Sequence, residues 1–280
     1  MLITVISQIV AELEGQRLKG KKIAFVPTMG ALHSGHLELV KKAREIADIV
    51  VVSVFVNKAQ FNDAGDYVKY PRQLEQDLQM LEKIGVNYVF APSAEEIYSK
   101  DLAFKITVTK FVDCLCGATR PGHFDGVALI VSKLFNIINP HVALFGQKDF
   151  QQVLVIKKLV RDFNFKVEII ACETVREKSG LAMSSRNQRL NKANKIKAAE
   201  IFKTLNEIKN EVKNNPQDTK NILQKKRDQL LKSGFEKIDY LEIRDEENLQ
   251  LLQNFDSSKN WRIFIALYLQ QVRLIDNLKL

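Results

Sequence analysis

The chain has 280 residues, a formal net charge of +9, 46% hydrophobic residues and 27% charged residues, which is the composition of an ordinary globular protein long enough for two domains. No stretch approaches the roughly 18 uninterrupted apolar residues of a membrane span, and the N-terminus lacks the basic and apolar regions of a secretion signal. The three cysteines, Cys114, Cys116 and Cys172, have no CxxC spacing, so a cytoplasmic protein without disulfides, redox pair or zinc set is expected.

Residues 22–26 form a short apolar run that predicts a strand. Leu37, Val40, Ala43 and Ala47 then recur at helical spacing, predicting a helix from about His36 to Ala47. A second valine-rich run spans Asp48 to Asn57. Two strands flanking one helix make a βαβ unit, whose parallel pairing needs a crossover of that length.

Between the first strand and the helix lies Pro27-Thr28-Met29-Gly30-Ala31-Leu32-His33-Ser34-Gly35-His36. The first turn of a helix leaves backbone N–H groups unpaired and carries a partial positive charge, so an anion is stabilised there. Gly30 and Gly35 let backbone approach a phosphate without an intervening Cβ. His33 and His36, three residues apart, fall on one side of a helical turn, where both rings can donate to the same phosphate oxygens. HxxH alone also fits a metal pair or two surface histidines, but no third ligand stands at metal spacing nearby.

The alternation continues with a helix from about Arg72 to Ile84, strands at Asn87 to Ala91 and Phe104 to Val108, and a helix from about Asp125 to Ile138. A buried strand at His141 to Phe145, a helix at Phe150 to Asp162 and a strand at Phe165 to Ala171 follow. The expected fold is α/β: a Rossmann-like, mostly parallel sheet with helices on both faces over residues 1–174. From about Val175 the character changes. Two amphipathic helices flanking Asn214-Asn215-Pro216 and strands at Lys237 to Ile243 and Arg262 to Leu269 predict a smaller C-terminal α+β domain over 175–280, a candidate lid.

Ligands of such sheets bind outside the carboxyl ends of the strands. Each polar cluster here follows a strand: Thr28 to His36, Asn57 to Gln60, Gly146 to Gln152, and Thr174 to Arg186. Asn57 and Gln60 offer uncharged amides suited to a ligand bearing hydroxyls and a carboxylate, or simply make a turn. Lys148 offers a point charge for a phosphate, while Asp149 can accept from ribose hydroxyls or cap a helix. Ser184, Ser185 and Arg186 are a donor set for outer phosphates, or a surface loop. The lysines between Arg189 and Lys232 alternate with apolar residues at helical spacing and lack interleaved aromatics, so they read as a solvated helix face and no nucleic-acid partner is expected.

Together these segments resemble the pantothenate synthetase (pantoate–β-alanine ligase) family of HxGH nucleotidyltransferases. The match lies in PTMGALHSGH, FVNKAQF, Tyr70-Pro71-Arg72, Arg120-Pro121-Gly122-His123-Phe124, FGQKDFQQ and GLAMSSRN, over roughly residues 22 to 190. The resemblance implies an ATP-dependent condensation of pantoate with β-alanine to pantothenate through a pantoyl adenylate, with release of AMP and pyrophosphate. It implies His33, His36, Lys148 and Arg186 as catalytic residues. ATP contacts would come from Thr28, Met29, Gly146, Asp149, Val175, Met183, Ser184, Ser185 and Arg186, and pantoate contacts from Met29, Asn57, Gln60 and Gln152. Asp77 is the implied carboxylate near Mg2+, and a homodimer is the implied assembly. Another HxGH nucleotidyltransferase acting on a different small acid or phosphate is the alternative.

Two positions depart from the family pattern. Lys58 stands where the family has proline, which would have fixed φ in the loop carrying Gln60. Gln147 stands where it has glutamate, removing a charge beside Lys148.

Overall fold

The computed structural model describes residues 1–280, which divide into two compact units. The first comprises residues 1–112, 120–147 and 151–173; the second comprises 113–119, 148–150 and 174–280.

In chain order the first unit and its intervening segments contain β1 (Leu2–Ile3), α1 (Ile6–Leu18), β2 (Ile23–Thr28), α2 (Ser34–Ile46), β3 (Ile49–Val54), α3 (Ala64–Val68), α4 (Leu74–Ile84), β4 (Tyr88–Phe90), α5 (Ala94–Ile97), α6 (Leu115–Thr119), α7 (His123–Ile138), β5 (Val142–Gly146), α8 (Phe150–Asp162) and β6 (Glu168–Cys172). The six strands form one sheet in the order β1-β4-β3-β2-β5-β6, and every pair is parallel. Successive strand residues point to opposite faces. Ile23 and Phe25 therefore enter one apolar layer with Ile9 and Leu13 of α1 and Val131 and Phe135 of α7. Ala24 and Val26 enter another, with Val40 and Ala43 of α2 and Leu81 of α4. Burial on both faces explains why these strands read as continuous apolar runs rather than alternating ones.

From β2 the chain runs outward through β3 to β4, whereas β5 and β6 lie on the other side of β2. The strand order reverses between β2 and β5, where Ala24 pairs with Val142 and Phe25 with Ala143. A crevice opens beyond the carboxyl ends of strands at such a reversal. The loops after β2, β3 and β5 leave from that rim.

The second unit adds α9 (Lys192–Ala198), α10 (Glu200–Asn214), α11 (Thr219–Lys232) and an antiparallel sheet of β7 (Lys237–Asp245), β8 (Trp261–Leu269) and β9 (Val272–Lys279). Ile201, Leu205, Ile208 and Val212 of α10 pack with Ile263, Ile265 and Leu267 of β8. Most of the lysine-rich stretch is thus the outer side of helices whose apolar stripe covers a sheet, but Lys226 is buried and paired with Glu207 and Glu211 of α10.

The strand expected at Phe104 to Val108 is absent. Ile106 and Val108 do pack against the core, while Phe104 is exposed. Their alternation reflects one buried side, but the Val108 N–H donates to the Asp125 carboxylate rather than to a neighbouring strand. No helix is long and apolar enough to cross a membrane.

Candidate active site

β2 ends at Thr28, whose hydroxyl donates to the Ser53 carbonyl at 2.7 Å and accepts from Gly30 N–H at 3.1 Å. The chain then turns through Gly30 (φ 74°) and Ala31 (φ 50°). A left-handed alanine costs about 1 kcal/mol or more, so something must hold it. Asp77 of α4 does so: Oδ2 accepts from Ala31 N–H at 2.9 Å and Oδ1 from Leu32 N–H at 2.8 Å. A Cβ on Gly30 would fall 2.9 Å from the Val54 side chain and 3.0 Å from Asp77, so glycine is required for space as well as for φ.

That fixed turn delivers His33 as the N-cap of α2, its Nδ1 accepting from Gly35 N–H at 3.1 Å. The His33 and His36 rings stack at 4.0 Å between centroids. Because Nδ1 of a neutral His33 accepts, Nε2 carries the proton. The half-buried imidazole pair thus sits at the N-terminus of α2, where the aligned peptide dipoles leave a partial positive charge, beside the carboxyl end of β2.

The next loop along the rim is anchored through Asn57, which is 1% exposed. Its Nδ2 donates to Gln60 Oε1 and to the Gly126 carbonyl, both at 3.0 Å, and its Oδ1 accepts from Tyr98 OH at 2.7 Å and from Ala59 N–H at 3.3 Å. Burial pushes the Tyr98 pKa up to about 12, which keeps that hydroxyl a donor. Gln60 Nε2 reaches Met29 Sδ at 3.3 Å. Beneath the loop, the Gln60 carbonyl accepts from Arg120 Nη2 at 3.0 Å and lies 2.7 Å from His123 Nδ1, while Arg120 Nη1 lies 3.1 Å from His123 Nε2. Arginine has no acceptor, so His123 Nε2 accepts and Nδ1–H donates to the carbonyl. A Cβ on Gly126 would stand 2.3 Å from the Ala59 carbonyl oxygen, so α7 can approach this loop only through glycine.

β5 ends at Gly146 on the same rim as β2 and β3, and Gln152 lies half-buried in the first turn of α8. Its neighbour Gln151 is buried and donates to the Phe111 carbonyl. Lys148 and Asp149 belong to the second unit, with Lys148 Nζ 3.7 Å from Asp149 Oδ2. Also in that unit, Met183 N–H donates to the Val175 carbonyl at 2.9 Å, closing a hairpin-like turn. Ser184 caps the short 3-10 turn Ser185–Arg189 by accepting from Arg186 N–H, Ser185 is buried and Arg186 is half-buried.

Two of the expected site residues have their polar atoms engaged within the protein. Asn57 has both amide hydrogens and both acceptor positions occupied by Gln60, Gly126, Tyr98 and Ala59, so its polar atoms are committed to the loop under Gln60. Asp77 is 0% exposed, and its two oxygens hold the turn before His33. Burial outweighs these donors and raises its pKa above the usual carboxylate value. A magnesium ligand needs an oxygen open to the ion and its waters, and Asp77 does not fit. Thr28 likewise spends its hydroxyl on the turn. Arg120 and His123 stand in the family motifs without a role assigned from sequence; an arginine and a histidine bracketing Pro121-Gly122 at a helix start was the available signal.

The pantoate-beta-alanine ligase family model matches residues 1–279. A pantothenate synthetase from Marinomonas sp. (strain MWYL1) is 46% identical over 276 residues, covering 98% of this chain and 97% of the relative. One from Thermoanaerobacter sp. (strain X514) is 47% identical over 266 residues, covering 95% and 93%. Among solved structures, pantothenate synthetase from Thermus thermophilus superposes with a TM-score of 0.91 at 39% identity, covering 99% of this chain and 98% of that one. Pantoate-beta-alanine ligase from Francisella tularensis, complexed with beta-gamma ATP and beta-alanine, gives 0.81 at 38% identity, covering 100% and 97%. With its motifs, its fold and nearly its whole length in agreement with these proteins, the chain belongs to the pantoate–β-alanine ligase family.

Proposed function

We propose that this ligase joins pantoate to β-alanine by way of a pantoyl adenylate, consuming ATP and releasing AMP and pyrophosphate. The observation that carries the reading is the stacked His33–His36 pair at the N-terminus of α2, held by a turn whose Met29 also meets the Gln60 amide. A phosphate-binding helix terminus and an amide-bearing loop therefore share one rim, as a reaction between a nucleotide and a hydroxy acid requires. The Francisella relative, bound to an ATP compound and β-alanine, supports the same substrates.

A carboxylate resists attack by an amine because it is already negative and has no good leaving group. In the first step a pantoate carboxylate oxygen bonds to the α-phosphorus of ATP, and the bond from that phosphorus to pyrophosphate breaks. His33 and His36 donate to phosphate oxygens whose charge grows in that transition state, and Lys148 and Arg186 add positive charge. Ser184, Ser185 and backbone at Val175 and Met183 serve the nucleotide, as do Gly146 and Asp149. Gln60 and Gln152 hold pantoate, with Met29 against its apolar side. In the second step the β-alanine amine attacks the acyl carbon, loses a proton and displaces AMP. Positioning and exclusion of water carry this step, since no protein nucleophile is needed. Asp77 and Asn57 act on the loops rather than on the reactants. A homodimer in the cytoplasm completes the proposal.

The test is AMP release measured with pantoate, β-alanine and ATP omitted in turn. Release that requires all three is expected. Pyrophosphate release with the nucleotide retained on the product, independent of β-alanine, would instead assign a different nucleotidyltransferase reaction.

A further inference from the structure

Lys148 follows β5 in the chain, yet residues 148–150 cluster with the C-terminal unit. The contacts that hold them come from the antiparallel sheet. Asn277 of β9 donates from Nδ2 to the Lys148 carbonyl at 2.9 Å, and its Oδ1 accepts from Arg262 Nη1 of β8. The Arg262 guanidinium lies 4.2 Å from the Phe150 ring centroid, and Phe264 meets that ring edge-on at 5.8 Å. Arg262 is fixed in turn by Glu246 at 2.8 Å. Peptide and ring on either side of Asp149 are therefore both gripped.

Asn277 is only 3% exposed, and a buried primary amide is costly unless its hydrogen bonds are made. Val272 and Leu274 of the same strand are buried and apolar, and leucine at 277 would serve packing at least as well. The amide bridges two partners that leucine cannot serve: a guanidinium within the sheet and a carbonyl outside it. Fixing the Lys148 carbonyl orients its peptide plane, and with it the direction in which the side chain leaves the backbone.

We propose that Asn277 is a positioning residue for Lys148, so that the C-terminal sheet sets the aim of the catalytic lysine through a hydrogen bond to its own carbonyl. The inference rests on the phosphate role given to Lys148 above. It predicts that Asn277 matters for adenylation only while the lysine is present.

The experiment is single-turnover formation of pantoyl adenylate in Asn277→Leu and Asn277→Asp, each alone and combined with Lys148→Ala. Asn277→Asp keeps an acceptor for Arg262 while replacing the donor to the lysine carbonyl with a carboxylate oxygen, so it carries the test should the leucine variant fail to fold. Each single variant is expected to lose about tenfold to a hundredfold in rate with KM for pantoate unchanged, the size of effect a displaced catalytic group produces. In the Lys148→Ala background the Asn277 changes should cost nothing further. Equal fold-losses in both backgrounds, or an unchanged rate in Asn277→Asp beside a crippled Lys148→Ala, overturn the positioning role alone. Full adenylation by Lys148→Ala overturns the catalytic reading, and this one with it.

Discussion

The His33 imidazole accepts the backbone N–H of Gly35 through Nδ1 at 3.1 Å, so one ring nitrogen caps α2 while the other carries the proton. Capping and chemistry are separable by substitution. Asparagine is a strong N-cap acceptor, so His33→Asn should keep stability within about 0.5 kcal/mol of the parent, whereas His33→Ala should lose about 1 kcal/mol. Both should lower adenylate formation by about a hundredfold, the usual worth of one preorganised donor. Chemical denaturation and single-turnover rates measure the two effects. Recovery of the rate in His33→Asn would mean that the ring serves the helix and not the phosphate.

Asp77 is expected to behave as a clamp on the turn. Asparagine has one carbonyl acceptor where the carboxylate has two, and its NH2 would face a backbone N–H of Ala31 or Leu32. The orphaned donor should cost about 1–3 kcal/mol, and the loosened turn should slow adenylation about tenfold. The magnesium concentration giving half-maximal activity should not move. A shifted magnesium midpoint with an unchanged melting temperature would return Asp77 to the metal.

The rim was legible in the sequence because its signals are local. A strand, two glycines and a pair of histidines fall within residues 23–36, and the structure has β2 and α2 close to the expected bounds, with His33 as a cap that the sequence did not announce. What escaped depends on partners far along the chain. Asp77 lies 46 positions from Ala31, and Asn277 lies 129 from Lys148. The third strand of the C-terminal sheet, β9, carries Asp276 and Asn277 among its buried residues and so lacks a clean apolar face. α1 escaped because only Ile9 and Leu13 of it are buried, leaving a narrow stripe. The alternation at Phe104 to Val108 gave the opposite error, since one-sided burial does not require a pairing strand.

Gly126 should tolerate no side chain. In Gly126→Ala the new methyl would press on the Ala59 carbonyl and on Gln60 N, 2.3 and 2.7 Å away, and neither backbone atom can swing aside. A loss of about 1–3 kcal/mol is expected from overpacking, with KM for pantoate raised about tenfold as Gln60 is displaced. Calorimetry and steady-state kinetics would register both. A stable variant with parental KM would show that the loop carrying Gln60 is independent of α7.

Tyr98 should make the folded state sensitive to alkali. Burial holds its pKa near 12 in the folded protein, against about 10 in an unfolded chain. Between those values the unfolded state releases the proton first, so stability falls as pH rises from about 10 toward 12. Tyr98→Phe has no proton to release and should show a shallower fall in urea midpoint over that interval. It also leaves Asn57 Oδ1 without its 2.7 Å donor, so at neutral pH the variant should be the less stable of the two. Parallel midpoint curves for the two proteins would deny Tyr98 this part in the alkaline transition.

Lys58 opens the short 3-10 turn Lys58–Gln60, with Asn57 before it at φ −80° and ψ 104°. That extended conformation is the one a residue preceding proline prefers, and the first position of a helical turn needs no N–H. Lys58→Pro should therefore fit without strain and stabilise the protein by about 0.4–1 kcal/mol, chiefly by restricting the unfolded chain. KM for pantoate should stay unchanged, because Asn57, Arg120 and His123 already fix the Gln60 segment from side chain and backbone. Thermal melts and pantoate titrations of the two proteins check this. A lowered KM in Lys58→Pro would mean that those anchors leave the loop under-determined and that the lysine weakens substrate binding.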